Sequence, residues 1–506
     1  MLQSKSVLLG TSLAYMDATR LKVLSPVREI ILKIHPPAHA LLSPLRAHWD
    51  SLLKLWRTYE MPSGDLVPRV LENIGNYSTV LKYQAPIVCG SDLKDVVYQL
   101  IYLEEFLRQL HGTRPLLPDI RSSLGRLADD RVHAYYISHL LGGQENICPT
   151  EASKLIERGR HFSRLADDTG LEVQINRAAA IYYLRLGDMS RATAYAKASV
   201  TLAEKLSDNL LLTRTLHRLA TCERVTGNFG EALVLARRAQ YFAGRIGNFQ
   251  HATQALQEES RCLVDLGFYS EAVDICSRAL QLVIAGGCEG TQHHIGVLDL
   301  QADIQLQKTA YEDCRQTHEL ILKHTSPDKS ALFHANSLMT IAGIDVDLGA
   351  FTSVDEVRAA LDLPQRIFRD RGYLRGLPKC DKLVADFLLK QGRRREAAEI
   401  YEKCLRDPRG NDVETFPACL LKLGDITLWP GEVMATTRWA VTYLAYGRTT
   451  GSVPIVTWAF RLWSDIFRNE GDEQTSQALF RVALEEFTRM GVIRGRDECL
   501  SRLSGI

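Results

Sequence analysis

Few residues in this 506-residue chain stand where chemistry could begin. His293 and His294, with Cys288 nearby in GGCEGTQHH, could donate to a metal, since imidazole nitrogen and thiolate are ligands zinc favours. No neighbouring pair completes a tetrahedral set, so a solvated loop is expected there. His35 and His39 have HxxxH spacing, which on a helix would place both rings on one face. Pro36 and Pro37, between them, break the helix that this spacing needs. The adjacent acids Asp167–Asp168 and Glu104–Glu105 would point in two directions from a helix, as solvated faces do. No GxSxG elbow, dinucleotide glycine fingerprint or GxxxxGK[ST] loop occurs in the sequence. The eleven cysteines form no CxxC pair, and several fall at apolar helix positions, as buried reduced thiols do. The expectation is a chain that is not an enzyme and takes no cofactor, no metal and no nucleotide.

What remains is binding. Lysine plus arginine (61) balances aspartate plus glutamate (60), for a net charge of +1. That balance excludes general electrostatic capture of nucleic acid or an acidic membrane, though not a local site. No run approaches the roughly 18 apolar residues that cross a bilayer. The opening MLQSKSVLLG carries one lysine and no convincing cleavage site, so a cytoplasmic protein is expected. The side chains open to partner binding are Trp439, Trp458 and Trp463 and the arginine corner Arg393–Arg395, with core packing and plain exposure as their respective alternatives.

The elements that position these residues follow from a repeat. LRLGDMSRATAYAKAS, RVTGNFGEALVLARRA and VDLGFYSEAVDICSRA carry Gly187, Gly227 and Gly267, which recur at one constant interval. Five residues after each glycine stands Ala192, Ala232 or Ala272. Gly349, Gly392, Gly431 and Gly471 continue the frame. Seven residues before each turn position stand Ala180, Ala220, Ser260, Ala302, Ala342, Ala385, Gly424 and Ser464, all small and nearly evenly spaced. Such a unit reads as helix A, a glycine turn and helix B, with small residues letting the two axes approach. One hairpin cannot cover its own apolar stripe, so neighbours must stack.

This pattern resembles the tetratricopeptide repeat, with units of about 40 rather than about 34 residues. The resemblance implies an all-α fold: a right-handed α-solenoid of tetratricopeptide-like helical hairpins over residues 131–506, ending in a capping helix and free of β-sheet. Its concave face is lined by A helices. The fourth unit has Thr309 in place of the turn glycine, and the fifth carries an irregular insert around TSVDEV (352–357). Residues thirteen, ten, six and three before each turn should point inward. In the clean units these include Arg177, Arg214, His217, Arg224, Gln254, Gln257 and Arg261, a basic and polar set suited to an acidic protein or peptide partner. The set does not reproduce the family's lysine and asparagine carboxylate clamp.

Residues 1–130 lie outside the period, yet read as an irregular helical region, with Leu42, Leu45, Trp49 and Leu52 on one stripe. The segment SLAYMDATRLKVLSPVREIILKIHPP (12–37), RDRGYLRGLPKCD (369–381), KLGDITLW (422–429) and the closing ALFRVALEEFTRMGVIRGRDECLSRL (478–503) resemble fungal NACHT/STAND proteins, in the region that follows the nucleoside-triphosphatase module. The resemblance implies the sensing or partner-binding arm of a signalling switch, or a free-standing relative of that arm. The missing phosphate loop sets this chain apart from the complete switch. An RNA-binding helical-repeat protein is the competing reading; the longer period and neutral charge count against it.

Overall fold

The computed structural model describes residues 14–17, 20–23, 39–58, 66–110, 121–143, 147–247, 249–407, 409, 413–428 and 433–504. His35, Gly431 and most of the 12–37 segment lie outside these. The first described element corrects the all-helical reading of the front of the chain. Strands β1 (Ala14–Asp17) and β2 (Arg20–Val23) form a two-stranded antiparallel ribbon, with Ala14 opposite Val23 and Asp17 opposite Arg20. β2 alternates polar and apolar residues (RLKV), but over four residues only, and AYMD of β1 does not, so the ribbon's signal is short and one-sided.

Everything else that is regular among the described residues is helical. Four helices lead in: α1 (His39–Thr58), α2 (Leu66–Gln84), α3 (Gly90–Leu110) and the short α4 (Arg121–Leu124). On α1, Trp49, Leu52 and Leu53 are buried, while Leu45 points outward. After α5 (Asp130–Gly143) and α6 (Pro149–Leu165) the hairpins become regular: α7 (Thr169–Leu186) with α8 (Met189–Leu206), α9 (Asn209–Val225) with α10 (Phe229–Arg245), and α11 (Phe249–Leu266) with α12 (Tyr269–Ala285). Later units are α13 (Gln292–Gln307) with α14 (Tyr311–His324), α15 (Ala331–Leu348) with α16 (Val354–Asp370), α17 (Gly376–Lys390) with α18 (Arg394–Arg406), α19 (Thr415–Leu428) with α20 (Val433–Thr450), and α21 (Val453–Asn469) with α22 (Glu473–Met490). Helix α23 (Ile493–Ser504) follows. Among the described residues of 131–506 there is no strand.

Local chemistry sets the unit length. Asp168, Asp188 and Asp208 are evenly spaced, each half a unit on from the last. Each accepts a backbone N–H at the start of the next helix: Leu171 at 3.1 Å, Arg191 at 3.0 Å and Leu211 at 3.0 Å. Such caps satisfy amides that the helix itself leaves without partners. The turn between α9 and α10 needs Gly227, because its φ is +87° and an added Cβ would lie 2.6 Å from Thr450 Cγ2. Thr309 takes the same left-handed conformation, at φ +60°, without being glycine. The stretch 352–357 also proves more regular than the sequence suggested. Ser353 accepts from Glu356 N at 3.3 Å, and Glu356 reaches back to Thr352 N at 2.8 Å, a capping box that starts α16.

All eight small positions are buried: Ala180, Ala220, Ser260, Ala302, Ala342, Ala385, Gly424 and Ser464. Ser260 Oγ donates to Ala272 O across its hairpin at 2.9 Å, and a Cβ on Gly424 would come 2.6 Å from Leu462 Cδ2. A larger residue at either place would force the packed helices apart. Consecutive A helices touch, α7 with α9, α9 with α11 and α11 with α13, so their faces form one wall. One buried cluster runs from Trp49 through the first units to Ile304, and takes in Phe480, Phe487 and Met490 from the far end of the chain. The coil therefore meets itself. Ser452 Oγ donates to Asp265 O at 2.8 Å, and Arg494 N donates to Thr309 Oγ1 at 3.3 Å.

Candidate functional site

Self-contact frames a cavity of about 520 Å³ on the inner side of the coil. A helices α9, α11, α13, α15, α17, α19 and α21 contribute to its lining, together with the first residues of α10, α12 and α14 and with α20, α22 and α23. The wall mixes aromatic faces (Tyr269, Tyr443, Trp458) with charges of both signs, among them Arg224, Arg261 and Asp303. Volume and mixture suit part of a peptide or a small ligand.

The seven inward candidates lie on α7, α9 and α11, and their partners differ. Arg224 Nε donates to Glu258 Oε1 at 2.8 Å, and Nη1 to Asp265 Oδ2 at 3.1 Å. Burial pushes the Glu258 carboxyl up, but the charges of Arg224 and Arg261 outweigh it and hold the group below its ordinary range. Asp265 has the same guanidinium, yet burial prevails there and raises it to about 6. Arg261 approaches Asp299 at 3.6 Å. Arg214 Nε donates to His251 Nε2 at 3.0 Å, and its Nη2 lies 3.4 Å from Glu105 Oε1 on α3. Gln254 Oε1 lies 3.1 Å from His251 Nδ1, and Gln257 Nε2 donates to His293 O at 3.3 Å. His217 is half-buried, and burial together with the neighbouring Arg218 charge lowers its ring to about 4.

Arg177 differs from these. Among the described residues no ion pair or hydrogen bond engages its guanidinium, and its Nε is shut off from water without a partner. Burial, then the positive charges of Arg214, Arg108 and Arg218, bring it down to about 9 against a smaller pull from Glu105. The sequence frame passed over Arg218, which is in the same state: its Nε is buried and unpartnered. Burial lowers Arg218 too, against the pull of Glu258 and with Arg108 and Arg375 adding to the shift. The frame missed it because Arg218 sits one residue after an inward position. One signal was present: its distance along the chain from Arg177 equals that of Asp265 from Arg224, an observed pair.

The other candidates are placed as follows. His293 is buried beside Gln257, and the His294 ring lies 5.9 Å from that of His324; Cys288 is buried. Among the described residues no group of three or more His, Cys, Asp or Glu could hold a metal ion. Trp439, Trp458 and Trp463 are half-buried, and Trp458 packs 4.7 Å from Phe487 on the cavity wall. The Arg393–Arg395 corner is exposed, with Arg393 paired to Glu396 at 2.6 Å. Nine of the eleven cysteines are buried, and Cys89 and Cys148 are exposed. No helix among the described residues is long and apolar enough to cross a membrane.

The fold defines the class: apart from the short β1–β2 ribbon, the described residues form a tetratricopeptide-like solenoid of helical hairpins. Solved structures similar to this chain include a Rap protein complexed with competence and sporulation factor, at 11% identity over 87% of this chain and 97% of that one, with a TM-score of 0.38. Another is a signal transduction ATPase with numerous domains (STAND) that carries a tetratricopeptide repeat sensor, from Pyrococcus horikoshii. There identity is 14% and the TM-score 0.38; the match covers 88% of this chain and 58% of that protein. BtubC from P. vanneervenii matches 43% of this chain and 88% of its own length at 16% identity, with a TM-score of 0.34. No known family matches the sequence, and no curated protein does.

Proposed function

We propose that this chain is a non-catalytic protein-interaction scaffold that holds a segment of a partner protein, or a peptide, on the inner wall of its coil. In cellular terms it is the sensor or partner-binding arm of a STAND-type signalling protein of the fungal NACHT kind, or a free-standing cytoplasmic relative. The observation that supports this is the cavity of about 520 Å³ where the A helices meet the far end of the chain. A wall of aromatic faces and charges of both signs can grip side chains and backbone of an extended segment.

The test is a selection of random dodecapeptides displayed against the full chain. Binders should lose affinity when Thr340, on the cavity wall, is changed to Trp. They should keep it when the exposed outer residues Val234 and Tyr241 are changed to Ser. Binders that ignore the Thr340 change and respond to the outer pair would refute the inner-wall reading. ATP should not bind to the same preparation by equilibrium dialysis, because the sequence has no phosphate loop.

A further inference from the structure

Charged residues on the inner wall follow a rule of separation. Arg224 meets Glu258 and Asp265, both in the next unit. Arg261 meets Asp299, Asp425 meets Arg461, and Asp465 meets Arg502. Each pair joins successive units, so an arginine in one unit is neutralised by an acid of its neighbour. The rule fails at the start of the regular units. One unit on from Arg177 stand Arg214 and Arg218, so cation meets cation.

Arg214 is supplied from elsewhere, by Glu105 of α3. Arg177 and Arg218 are not: among the described residues neither has an ion pair or a hydrogen bond, and the Nε of each is buried without an acceptor. The acids nearest in effect, Glu105 and Glu258, are already engaged by Arg214 and Arg224. Two more arginines are within electrostatic reach of Arg218, Arg108 from α3 and Arg375 from the start of α17. Both Arg177 and Arg218 are half-buried, so their outer atoms remain within reach of a ligand. Desolvated like charges without a matching counter-charge are costly to keep, and a planar carboxylate matches a guanidinium fork in two parallel hydrogen bonds.

We propose that Arg177 on α7 and Arg218 on α9 form a carboxylate-binding subsite outside the lining of the cavity, the place where an acidic side chain or the free C-terminus of the bound peptide is held. This rests on the peptide-scaffold reading and specifies which chemistry anchors the peptide. Arg214, Arg224 and Arg261 hold the coil together instead, because their charges are already matched within the chain.

The test uses four fluorescein-labelled, N-blocked hexapeptides at constant ionic strength: hexaglutamate amide, hexaglutamine with a free C-terminus, hexaglutamine amide and hexalysine amide. The full chain should bind at least one carboxylate-bearing peptide roughly tenfold or more tightly than hexaglutamine amide, with hexalysine amide weakest. Which of the two binds separates a side-chain from a terminal carboxylate. The double variant R177Q/R218Q should abolish that preference without lowering the melting temperature. R393Q/R395Q, which removes the same charge from an exposed corner, should retain it. Equal loss in both double variants would mean diffuse electrostatics and overturn the subsite. Binding of all four peptides alike would overturn the subsite and leave the scaffold reading intact. Binding of none of the four, together with an empty display selection, would refute both.

Discussion

Two stretches of the same inner wall carry the same residue type to opposite ends. In the middle and far units, Arg224, Arg261 and Arg461 are stitched to acids of adjoining units. At the near end Arg177 and Arg218 face other arginines. An inward arginine in a repeat protein is therefore not by itself a binding residue. What differs is what the next unit places beside it: an acid pairs it across units, and at Arg177 and Arg218 the Nε has no partner. The difference is one of partners, not of position within the unit.

The largest test of the staple end is Arg461. It is 5% exposed and pairs with Asp425 at 2.5 Å, Asp465 at 3.4 Å and Glu498 at 3.7 Å. Arg461→Ala strands the buried Asp465 and the half-buried Asp425 and Glu498, and should cost ~3–5 kcal/mol in denaturant unfolding. A loss below about 1 kcal/mol, the range of exposed pairs, would mean that these contacts do not hold the units together.

Acid sharpens the contrast next. Burial lowers His139 to about 3 and His217, His293 and His318 to about 4, all below their ordinary 6.5, and it lowers His251 as well. Groups depressed in the fold contribute stability that is full above pH 6.5 and lost as pH falls toward 4. Asp265, raised to about 6, has the opposite sign, as do Asp299 and Asp303, which burial also raises. Their contribution is full below 3.8 and lost as pH rises through the raised values. Five rings outweigh three acids, so the melting temperature should fall steadily between pH 6.5 and 4. A flat profile over that range would show that these rings are protonated without loss of the fold.

Packing comes third. Ala220→Leu should cost ~1–3 kcal/mol, because Ala220 is fully buried against the partner helix. Lys205→Leu, on an exposed last turn of α8, should change stability by less than about 0.5 kcal/mol. Equal shifts would break the repeat frame itself. The smallest effect belongs to the unpaired end. Arg177→Met should cost no more than about 0.5 kcal/mol, since no acid is left stranded. A penalty comparable to that of Arg461→Ala would show that Arg177 is a staple after all.

Much of the architecture could be read from spacing alone. Gly187, Gly227 and Gly267 and the small residues from Ala180 to Ser464 impose a local geometry that does not depend on distant partners. Thr309 shows the limit of that reading: its turn is left-handed without glycine. Which residues lie on the A helices was legible, whereas their partners were not. Nothing in the residues around Arg224 reveals that Glu258 neutralises it, since that contact arises only when units stack. The self-contact was harder still. It joins residues far apart along the chain, such as Asp265 and Ser452, and no periodic signal encodes it.

That self-contact has a kinetic consequence. Gly267 sits at a corner where a Cβ would meet Pro454 Cδ at 2.9 Å and Met490 Sδ at 3.1 Å, and Gly187 lies similarly close to the backbone of Arg409. The seam is closed to within van der Waals contact, so a coil of this kind is a fastened clasp rather than an open trough. The cavity is partly open to solvent, so a segment can enter by its mouth, or arrive during the moments when the seam has parted. In the latter case its capture rate is multiplied by the fraction of time the clasp stands open, and its escape rate is reduced by the same factor. Slow arrival and long residence follow from one set of corner contacts. Loosening them, with Pro454→Gly for example, would speed exchange in both directions while leaving the affinity of the inner wall largely as it was.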